Sequence, residues 1–356
     1  MAYTTINKST DYFNTKLYTG NNGTQSITGV GHQPDLIWVK ARNDTANNTL
    51  TDAVRGTNSV LYTNQNQGID APTNAITSFD SDGFSVGSNG SFNANSINYA
   101  SWNWKANGAG SSNTAGSLNS TVSVNTTAGF SIVKYTAGGS SAVSTIGHGL
   151  NAVPKVIMVK GTDANSTPDQ WMVYHEALGN TKRIKLNSTD GSATGSGYWN
   201  NTTPTSSLFT VGSSSEGNSA NGVYIAYCFA EKTGYSKFGK LISNGSDDGT
   251  FTYTGFAPKF VMLKPNVSDA WSHWYMFDTA RDTNLNDKPL YANLATQEAY
   301  YGGSPATNYA QIDILSNGFK IRRDSNWGGG SSGRELIYMA FGQSLVGSNN
   351  VPCTAR

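Results

Sequence analysis

Charged side chains are scarce in this sequence, and neither sign of charge is in excess. Asp, Glu, Lys and Arg account for 13% of the 356 residues and leave a formal net charge of +1, whereas about 25% charged residues is usual. No polybasic run occurs, so the positive surface that nucleic acid or an anionic membrane requires is missing. We therefore expect no nucleic acid and no membrane as a partner.

Long apolar runs and a cysteine framework are missing as well. No window approaches the roughly 20 apolar residues that span a bilayer, and the start MAYTTINKST has neither the apolar core nor the basic flank of a secretory signal. Two cysteines, Cys228 and Cys353, cannot form a disulfide framework or a four-ligand zinc site. We expect a chain that is made in soluble form and stabilised by packing.

Glycine and aromatic residues, by contrast, are plentiful. The sequence has 39 Gly, 18 Tyr, 14 Phe and 8 Trp, which argues against disorder, because disordered chains have few aromatics and a high net charge. Short stretches rich in Val, Ile, Tyr, Phe and Trp alternate with turns of Gly, Asn, Ser and Asp. No long segment has the 3.6-residue period of a helix. The predicted fold class is all-β with at most short helical turns.

One strand pattern occurs three times. The segments PDLIWVK at 34–40, PKVIMVK at 154–160 and PKFVMLK at 258–264 share a proline, a polar residue, four apolar residues and a lysine. Further blocks accompany each copy in the same order and end with YASWNWKA, YIAYCFAE and LIYMAFGQ. A preserved order of blocks is the signature of internal repeats. We predict three tandem antiparallel β-sandwich repeats of about 100 residues each.

The predicted domain organisation follows from these blocks. It comprises an N-terminal arm at 1–10, repeat 1 at 11–108, a Gly/Ser/Asn/Thr linker at 109–127, repeat 2 at 128–233, repeat 3 at 234–345 and a C-terminal tail at 346–356. The linker has almost no large apolar residue, so we expect it to be flexible. A repeat of this size can bury a core unaided, so we expect beads with limited mutual contact.

Residue types that bind metals or transfer protons do not cluster in the sequence. The four histidines, His32, His148, His175 and His273, fall in different repeats or blocks, and no HExxH motif occurs. His175 occupies the repeat position that holds Asp52 and Asp278 in the other two copies. We interpret this position as a polar turn or cap, and we interpret Asp52 with Arg55, and Asp278 with Arg281, as ion pairs that fasten a short helix.

Glycine-rich segments lack the known catalytic patterns. GSGYWNN at 195–201 and GNSANG at 217–222 match neither phosphate-binding loop, and no GxSxG elbow occurs. A carboxylate pair for glycoside hydrolysis cannot be recognised from sequence spacing. We predict that the protein is not an enzyme and has no catalytic, cofactor-binding or metal-binding residues.

One group of aromatic residues has polar neighbours. Trp271, Trp274 and Tyr275 lie beside Ser268, Asp269 and His273, and an aromatic ring in such surroundings can stack on a sugar. The alternation in WYMF, with Trp171 at the matching place in repeat 2, is typical of a half-buried strand. We favour core packing for these aromatics.

The blocks together resemble a known type of domain. GVGHQPDLIWVKAR, LTDAVRG, YIAYCFAEKTGYSKFGK, WYMFDTARD and the ending LVGSNNVPCTAR are similar to a repeat domain of virion structural and tail fibre proteins in tailed, especially aquatic, bacteriophages. The resemblance covers nearly all of 11–356 and carries no catalytic residues. The sequence departs from the pattern where His175 and Leu178 replace Asp and Arg, and at Cys353.

The resemblance implies a non-enzymatic virion structural protein, foremost a tail-associated fibre or adhesin component. A capsid decoration protein on the head surface is the first alternative, and a carbohydrate-binding module or depolymerase is the second. The expected location is the virion, and the expected partners are other virion proteins and copies of this chain, with a host surface glycan as a further candidate. We also expect neighbouring subunits to hold the N-terminal arm and the tail, whose polar residues offer little apolar surface.

Overall fold

A computed structural model describes residues 3–139, 142–166, 170–282, 288–298, 311–322 and 332–347. Over these residues the chain is all-β and sandwich-like, with antiparallel sheets and three α-helices of four residues each. The predicted fold class is confirmed. No helix within these ranges is long and apolar enough to cross a membrane.

The first unit pairs a five-stranded sheet with a three-stranded sheet. Its strands are β1 (Phe13–Thr19), β2 (Gln25–Thr28), β3 (Leu36–Ala41), β4 (Thr49–Asp52), β5 (Leu61–Tyr62), β6 (Ile76–Asp80), β7 (Gly83–Val86) and β8 (Asn98–Trp104). The sheet orders are β1-β8-β3-β4-β5 and β2-β7-β6. A 3-10 turn at Ser9–Asp11 precedes β1, and helix α1 (Gly90–Asn93) connects β7 to β8. The Asn89 side chain caps α1 by accepting from the amide of Ser91.

The second unit has a larger main sheet. Its strands are β9 (Ser111–Asn113), β10 (Ser120–Asn125), β11 (Phe130–Thr136), β12 (Ser144–Gly147), β13 (Val156–Gly161), β14 (Trp171–His175), β15 (Lys182–Lys185), β16 (Ala193–Thr194), β17 (Leu208–Val211) and β18 (Val223–Phe229). The orders are β16-β15-β14-β13-β18-β11-β10-β9 and β12-β17. The connections contain helices α2 (Ser196–Trp199) and α3 (Ser215–Asn218) and 3-10 turns at Ala164–Ser166 and Glu176–Leu178.

The third unit repeats the arrangement of the first. Its strands are β19 (Ser236–Ile242), β20 (Asp248–Tyr253), β21 (Ala257–Pro265), β22 (Tyr275–Asp278), β23 (Leu290–Tyr291), β24 (Ile312–Leu315), β25 (Gly318–Arg322) and β26 (Glu335–Gln343). The sheet orders are β19-β26-β21-β22-β23 and β20-β25-β24.

Corresponding strands follow one another in the same order in the three main sheets. The series β1-β8-β3-β4-β5, β11-β18-β13-β14-β15 and β19-β26-β21-β22-β23 match strand for strand. Phe229 pairs with Val156 and Phe341 pairs with Phe260, and both partners lie two residues after the proline of the repeated motif. This register agrees with the predicted equivalence of the proline-led strands. The predicted domain boundaries, and the number of repeats, stay predictions.

Each main sheet buries both of its faces. One face packs against the small sheet of the same unit and forms a separate core there, which includes Ile37 and Phe84, Ile157 and Phe209, and Val261 and Phe319 in the three units respectively. The other face of every main sheet enters one shared core, which includes Trp38, Met158 and Met262. Burial on two sides explains why the central strands are continuous apolar runs instead of alternating ones.

The shared core joins all three units. The ring of Phe341 in the third unit lies 5.3 Å from the ring of Phe13, 5.7 Å from that of Trp104 and 5.8 Å from that of Phe229, measured between centroids. The expectation of beads with limited contact is therefore wrong. Each main sheet has a second apolar face, and in the described part of the chain the other units, together with Ile6 of the arm, cover it.

Residues 109–127 were predicted to be a flexible linker, and they contain two strands. β10 pairs with β11 along its whole length, from Ser120 with Tyr135 to Asn125 with Phe130, and β9 pairs with β10. The flexible interpretation is therefore wrong for these strands. Ladder hydrogen bonds order this segment although its side chains are small and polar, and composition does not reveal where such bonds form.

The N-terminal arm packs on the third unit of its own chain. The Tyr3 hydroxyl donates to the carbonyl of Gly255 at 2.8 Å, and the amide of Ser9 donates to Oε1 of Gln343 at 2.7 Å. Ile6 is buried in the shared core. These contacts hold the arm within its own chain, and the expected contact of the arm with neighbouring subunits stays a prediction. Residues 348–356 of the tail, with Cys353, lie outside the described residues.

Candidate functional site

Several buried charged and polar side chains lie where the units meet. Asp52 ends β4, and its Oδ1 accepts from the amides of Val54 and Arg55, while Oδ2 accepts from Nε of Arg55. The two charged side chains are 0% and 2% exposed. The segment after Asp52 forms a turn and not the short helix that we predicted. The pair is also more deeply buried than a helix-fastening surface pair would be.

The second unit binds to this carboxylate. Tyr227 on β18 donates its hydroxyl hydrogen to Oδ2 of Asp52 at 2.7 Å, and Nη2 of Arg55 donates to the same hydroxyl oxygen at 3.2 Å. Burial raises the pKa of Tyr227 well above its usual range, so the phenol stays protonated and donates. Three side chains thus form a hydrogen-bonded joint between the first and second units.

The first unit makes the corresponding joint with the third. Asp278 accepts from Nε of Arg281, and both side chains are buried. Nε1 of Trp102 donates to Oδ2 of Asp278 at 3.1 Å, and the guanidinium of Arg281 lies 5.7 Å from the centroid of the Trp102 ring, within the range of a cation–π contact. Trp102 on β8 takes the place that Tyr227 has on β18.

His175 occupies the third of these positions. Its Nδ1 accepts from the amide of Ala177 at 3.2 Å, and its Nε2 lies 3.1 Å from the carbonyl oxygen of Tyr338 on β26. Burial lowers the pKa of His175 to about 4, so the ring is neutral at physiological pH and Nε2 carries the hydrogen that the carbonyl accepts. The polar cap predicted at this position is confirmed, and it also joins the second unit to the third.

Three lysines end the repeated strand motif and are fully buried. We call Lys40, Lys160 and Lys264 the interface lysines. Each donates to a main-chain carbonyl of another unit: Lys40 to Ala295 at 2.7 Å, Lys160 to Asn66 at 2.6 Å and Lys264 to Thr189 at 3.1 Å. A buried ammonium group is costly unless its hydrogens are bonded. These carbonyl contacts therefore hold loops of one unit on the strands of the next.

Burial changes the acidity of two interface lysines. It lowers the pKa of Lys264 to about 7, with Asp190 and Asp269 acting in the opposite direction, and it lowers the pKa of Lys40 to about 8. A perturbed lysine in a cleft would be a candidate nucleophile or base. Here the amino groups are enclosed at unit boundaries and bonded to carbonyls, which favours a joining role.

A further set of donors strengthens the same boundaries. Asn48, Trp171 and Trp274 occupy the same position in the three units. Their side-chain nitrogens donate to the carbonyls of Tyr291, Tyr62 and Lys185, at 3.0, 3.0 and 2.8 Å respectively. The three acceptors also occupy one corresponding position. Tyr62, Lys185 and Tyr291 lie on the strands of their own units that pair with β4, β14 and β22 respectively.

The contacts of the interface lysines, and those of Asn48, Trp171 and Trp274, run in one direction around the molecule. The second unit donates to the first, the third donates to the second, and the first donates to the third. Contacts between unlike surfaces that return to their starting point form a closed ring. The three units are therefore joined as the subunits of a trimer would be, although one chain supplies them all.

The other histidines serve local structure. Nδ1 of His32 lies 2.7 Å from the carbonyl oxygen of Thr10, and Nε2 of His148 lies 3.2 Å from that of Thr205. His273 lies 3.0 Å from the side-chain amide of Asn293. Burial lowers the pKa of all three rings. Among the described residues no three His, Cys, Asp or Glu side chains come together as a metal site would require.

The glycine-rich segments also serve packing. Trp199 in the first segment is buried and donates its indole hydrogen to the carbonyl of Lys182 at 3.0 Å. Asn218 in the second donates to the carbonyls of Ala142 and Gly212 at 2.6 and 2.9 Å. Both segments thus close the core of the second unit.

The aromatic group near residue 271 is divided by the structure. Trp274, Tyr275 and Trp171 are buried, so the predicted core packing is confirmed for them. Trp271 is 53% exposed, and there the prediction is wrong. Its amide donates to Oδ1 of Asp269, and its carbonyl accepts from the Tyr275 hydroxyl at 2.6 Å, so a turn holds the indole outward.

A cavity inside the shared core is lined mainly by Trp, Met, Leu and Phe side chains of the three units. Tyr227 and Thr63 also line it, and their hydroxyl groups are bonded elsewhere: Tyr227 to Asp52, and Thr63 to the carbonyl of Ala292 at 2.7 Å. Such a wall offers neither an acid nor a nucleophile to a substrate.

The chain belongs to the family described as a domain of unknown function (DUF7483), whose family model matches residues 8–344. No curated protein and no solved structure matches the sequence. The matched range includes all three units and the buried contacts between them.

Proposed function

We propose that this protein is a non-enzymatic structural component of a tailed-phage particle, foremost a tail-associated fibre or adhesin component. The observation that carries the proposal is the ring in which Asp52, Asp278 and His175, at one repeat position, each contact another unit at successive unit boundaries. The buried polar groups at these boundaries are bonded to one another across the units. The resemblance of the repeated blocks to virion proteins supports the same function.

A trimer-like chain suits a particle with threefold positions. A single chain with three corresponding units presents a similar surface three times. The partners that we propose are other particle proteins and further copies of this chain, and the location that we propose is the virion.

A capsid surface protein is the second candidate, and the same ring favours it. Three units related by corresponding contacts could cover a threefold position of an icosahedral shell with one chain. A fibre component and a shell component differ in number, because a particle has few tail fibres and many shell positions.

Quantitative mass spectrometry of purified particles tests the proposal. The amount is measured relative to the major capsid protein and converted to copies per particle. A tail component should be present in tens of copies per particle, and a shell component in hundreds. Immunogold labelling of intact particles would place the protein at the tail or over the head. Absence of the protein from purified particles would contradict both candidates.

A further inference from the structure

Over the ranges that the structure describes, exposed aromatic side chains lie on the third unit or against it. Among the described residues, the four exposed aromatics are Tyr3, Phe251, Tyr253 and Trp271. Three belong to the third unit, and Tyr3 packs on that unit through its bond to Gly255. The corresponding surfaces of the first and second units expose no aromatic ring in the described ranges. The third unit therefore carries a surface that the shared fold does not require.

The strand register identifies what the other units carry at these positions. Thr252 pairs with Phe319 as Ile27 pairs with Phe84 in the first unit. Phe251 and Tyr253 thus correspond to Ser26 and Thr28. In the second unit the same positions hold Thr145 and Gly147. Small residues satisfy the fold at these places, so the large rings of the third unit need another explanation.

We call Phe251 and Tyr253, with Tyr3 beside them, the aromatic platform. Phe251 and Tyr253 are 44% and 58% exposed and project from the same face of β20, because alternate residues of a strand share a face. A Cβ atom at Gly318 on β25 would lie 3.0 Å from Cζ of Phe251. Glycine therefore lets the Phe251 ring lie across the neighbouring strand.

A set of charged side chains continues the same sheet face. We call Asp248, Asp313, Lys320 and Arg322 the rim cluster. Asp248 accepts from Nζ of Lys320 at 2.6 Å and from Nη1 of Arg322 at 2.9 Å, and Asp313 accepts from Nε of Arg322. The Asp248 side chain is 73% exposed. Two carboxylates and two cations leave the cluster without net charge.

We propose that the aromatic platform and the rim cluster form a binding site for a neutral glycan. A sugar ring has an apolar C–H face, which a flat exposed aromatic side chain covers, and hydroxyl groups at its edge. Carboxylate and guanidinium groups next to the platform would bind those hydroxyls through charge-assisted hydrogen bonds. A charge-balanced rim favours a neutral sugar, because an acidic one would be repelled by Asp248 and Asp313.

The composition of the surface favours a glycan over a protein partner. Cores of protein interfaces are depleted of charged residues, whereas here four charged side chains lie next to two exposed rings. A stable protein interface also buries about 800 Å² on each partner. A sugar-sized ligand needs only the few side chains that this face provides.

Affinity electrophoresis of the isolated full-length protein tests the site. Native gels would contain a soluble β-glucan, a galactomannan or a xylan, with alginate as the acidic comparison. The matched variant F251S/Y253T carries the residues that the first unit has at the same positions. Trp271→Ala removes an exposed aromatic away from the platform and serves as the control. Equal thermal unfolding midpoints would show that the variants are folded, and Tyr253→Thr alone replaces the double variant if it is not.

We expect at least one neutral polysaccharide to retard the wild-type protein and the Trp271→Ala variant equally. F251S/Y253T should bind that polysaccharide at least tenfold more weakly. No retardation by any neutral polysaccharide, or equal retardation of F251S/Y253T, would overturn the proposal. So would a wild-type dimer that F251S/Y253T converts to a monomer in sedimentation, because a second copy would then occupy the platform. Counting the protein in particles is independent of these results.

Discussion

The hydroxyl of Tyr227 in the second unit donates to the carboxylate of Asp52 in the first unit at 2.7 Å. The two residues are 175 positions apart in the chain, and Asp52 is at the same time the cap of its own turn and the partner of Arg55. One carboxylate thus fixes a local turn and a boundary between units. The closed ring of units depends on side chains that, like Asp52, make both a local contact and a contact with another unit.

Removing the charge of Asp52 should weaken the whole molecule. Asp52→Asn leaves the buried guanidinium of Arg55 without its counter-charge, and breaking a buried pair in this way costs about 3–5 kcal/mol. We expect the free energy of unfolding, measured in guanidinium chloride, to fall by that order. Asp278→Asn should cost less, because Arg281 keeps a second carboxylate partner, Glu298, at 3.1 Å.

Glu231→Gln is the matched control for these variants. Glu231 pairs with Lys237 at 3.6 Å, and both side chains are 35% exposed. Exposed pairs contribute about 0–1 kcal/mol, so this variant should be close to the wild type. An equal loss of unfolding free energy in Asp52→Asn and Glu231→Gln would show that the buried interface pairs contribute no more than an exposed pair.

The shared core predicts cooperative unfolding. Truncating Phe341 to alanine removes ring contacts to both other units and should cost about 3–5 kcal/mol. Phe209→Ala truncates the separate core of the second unit. Because the units share a core, scanning calorimetry should show one transition in the wild type, and both variants should move that single transition. If Phe209→Ala moved only one of several transitions, the units would be unfolding independently.

His175 should make the protein sensitive to acid. Its pKa is about 4 in the folded protein and about 6.5 in an unfolded chain, so the unfolded chain binds the proton more tightly. The stability that this difference provides is complete above pH 6.5 and is lost as the pH falls through 4, by roughly 3 kcal/mol. His175→Asn can still accept from the Ala177 amide but takes up no proton.

Unfolding free energies of the wild type and His175→Asn at pH 4 and pH 7 provide the measurement. The difference between the two proteins should change by roughly 3 kcal/mol over this range. Parallel pH profiles would mean that the pKa of His175 is the same in the folded and the unfolded protein.

Lys264 should act in the alkaline range. Burial lowers its pKa to about 7, whereas an unfolded lysine titrates near 10.4. The stability associated with its neutral form is present above the unfolded pKa and is lost as the pH falls towards 7. The unfolding free energy of the wild type relative to Lys264→Met should therefore rise between pH 7 and pH 9.5. A constant difference over that range would show that Lys264 has an ordinary pKa.

The sequence predicted the elements more completely than the site. The proline-led motif, the turns and the absence of a helical period led to an all-β fold and to the equivalence of the motif strands. The interface lysines were visible as the last residue of each motif, but nothing in a strand pattern assigns a role to Lys40 or Lys264. The aromatic platform is also visible in the sequence, because the segment FTYTG at 251–255 has aromatic residues at the positions where the first unit has Ser26 and Thr28.

Local patterns determined most of the secondary structure of this protein, strands β9 and β10 excepted, because strand alternation and turn chemistry act over a few residues. The arrangement of the units was decided only by the tertiary structure. A five-stranded sheet exposes a second apolar face, and whether solvent, a partner or another unit covers it depends on residues more than 100 positions away, as with Phe341 and Phe13. The same holds for Asp52, whose partner Arg55 is local and whose partner Tyr227 is not. The spacing in the sequence indicates the contact of Asp52 with Arg55, whereas the contact of Asp52 with Tyr227 forms only in the folded chain.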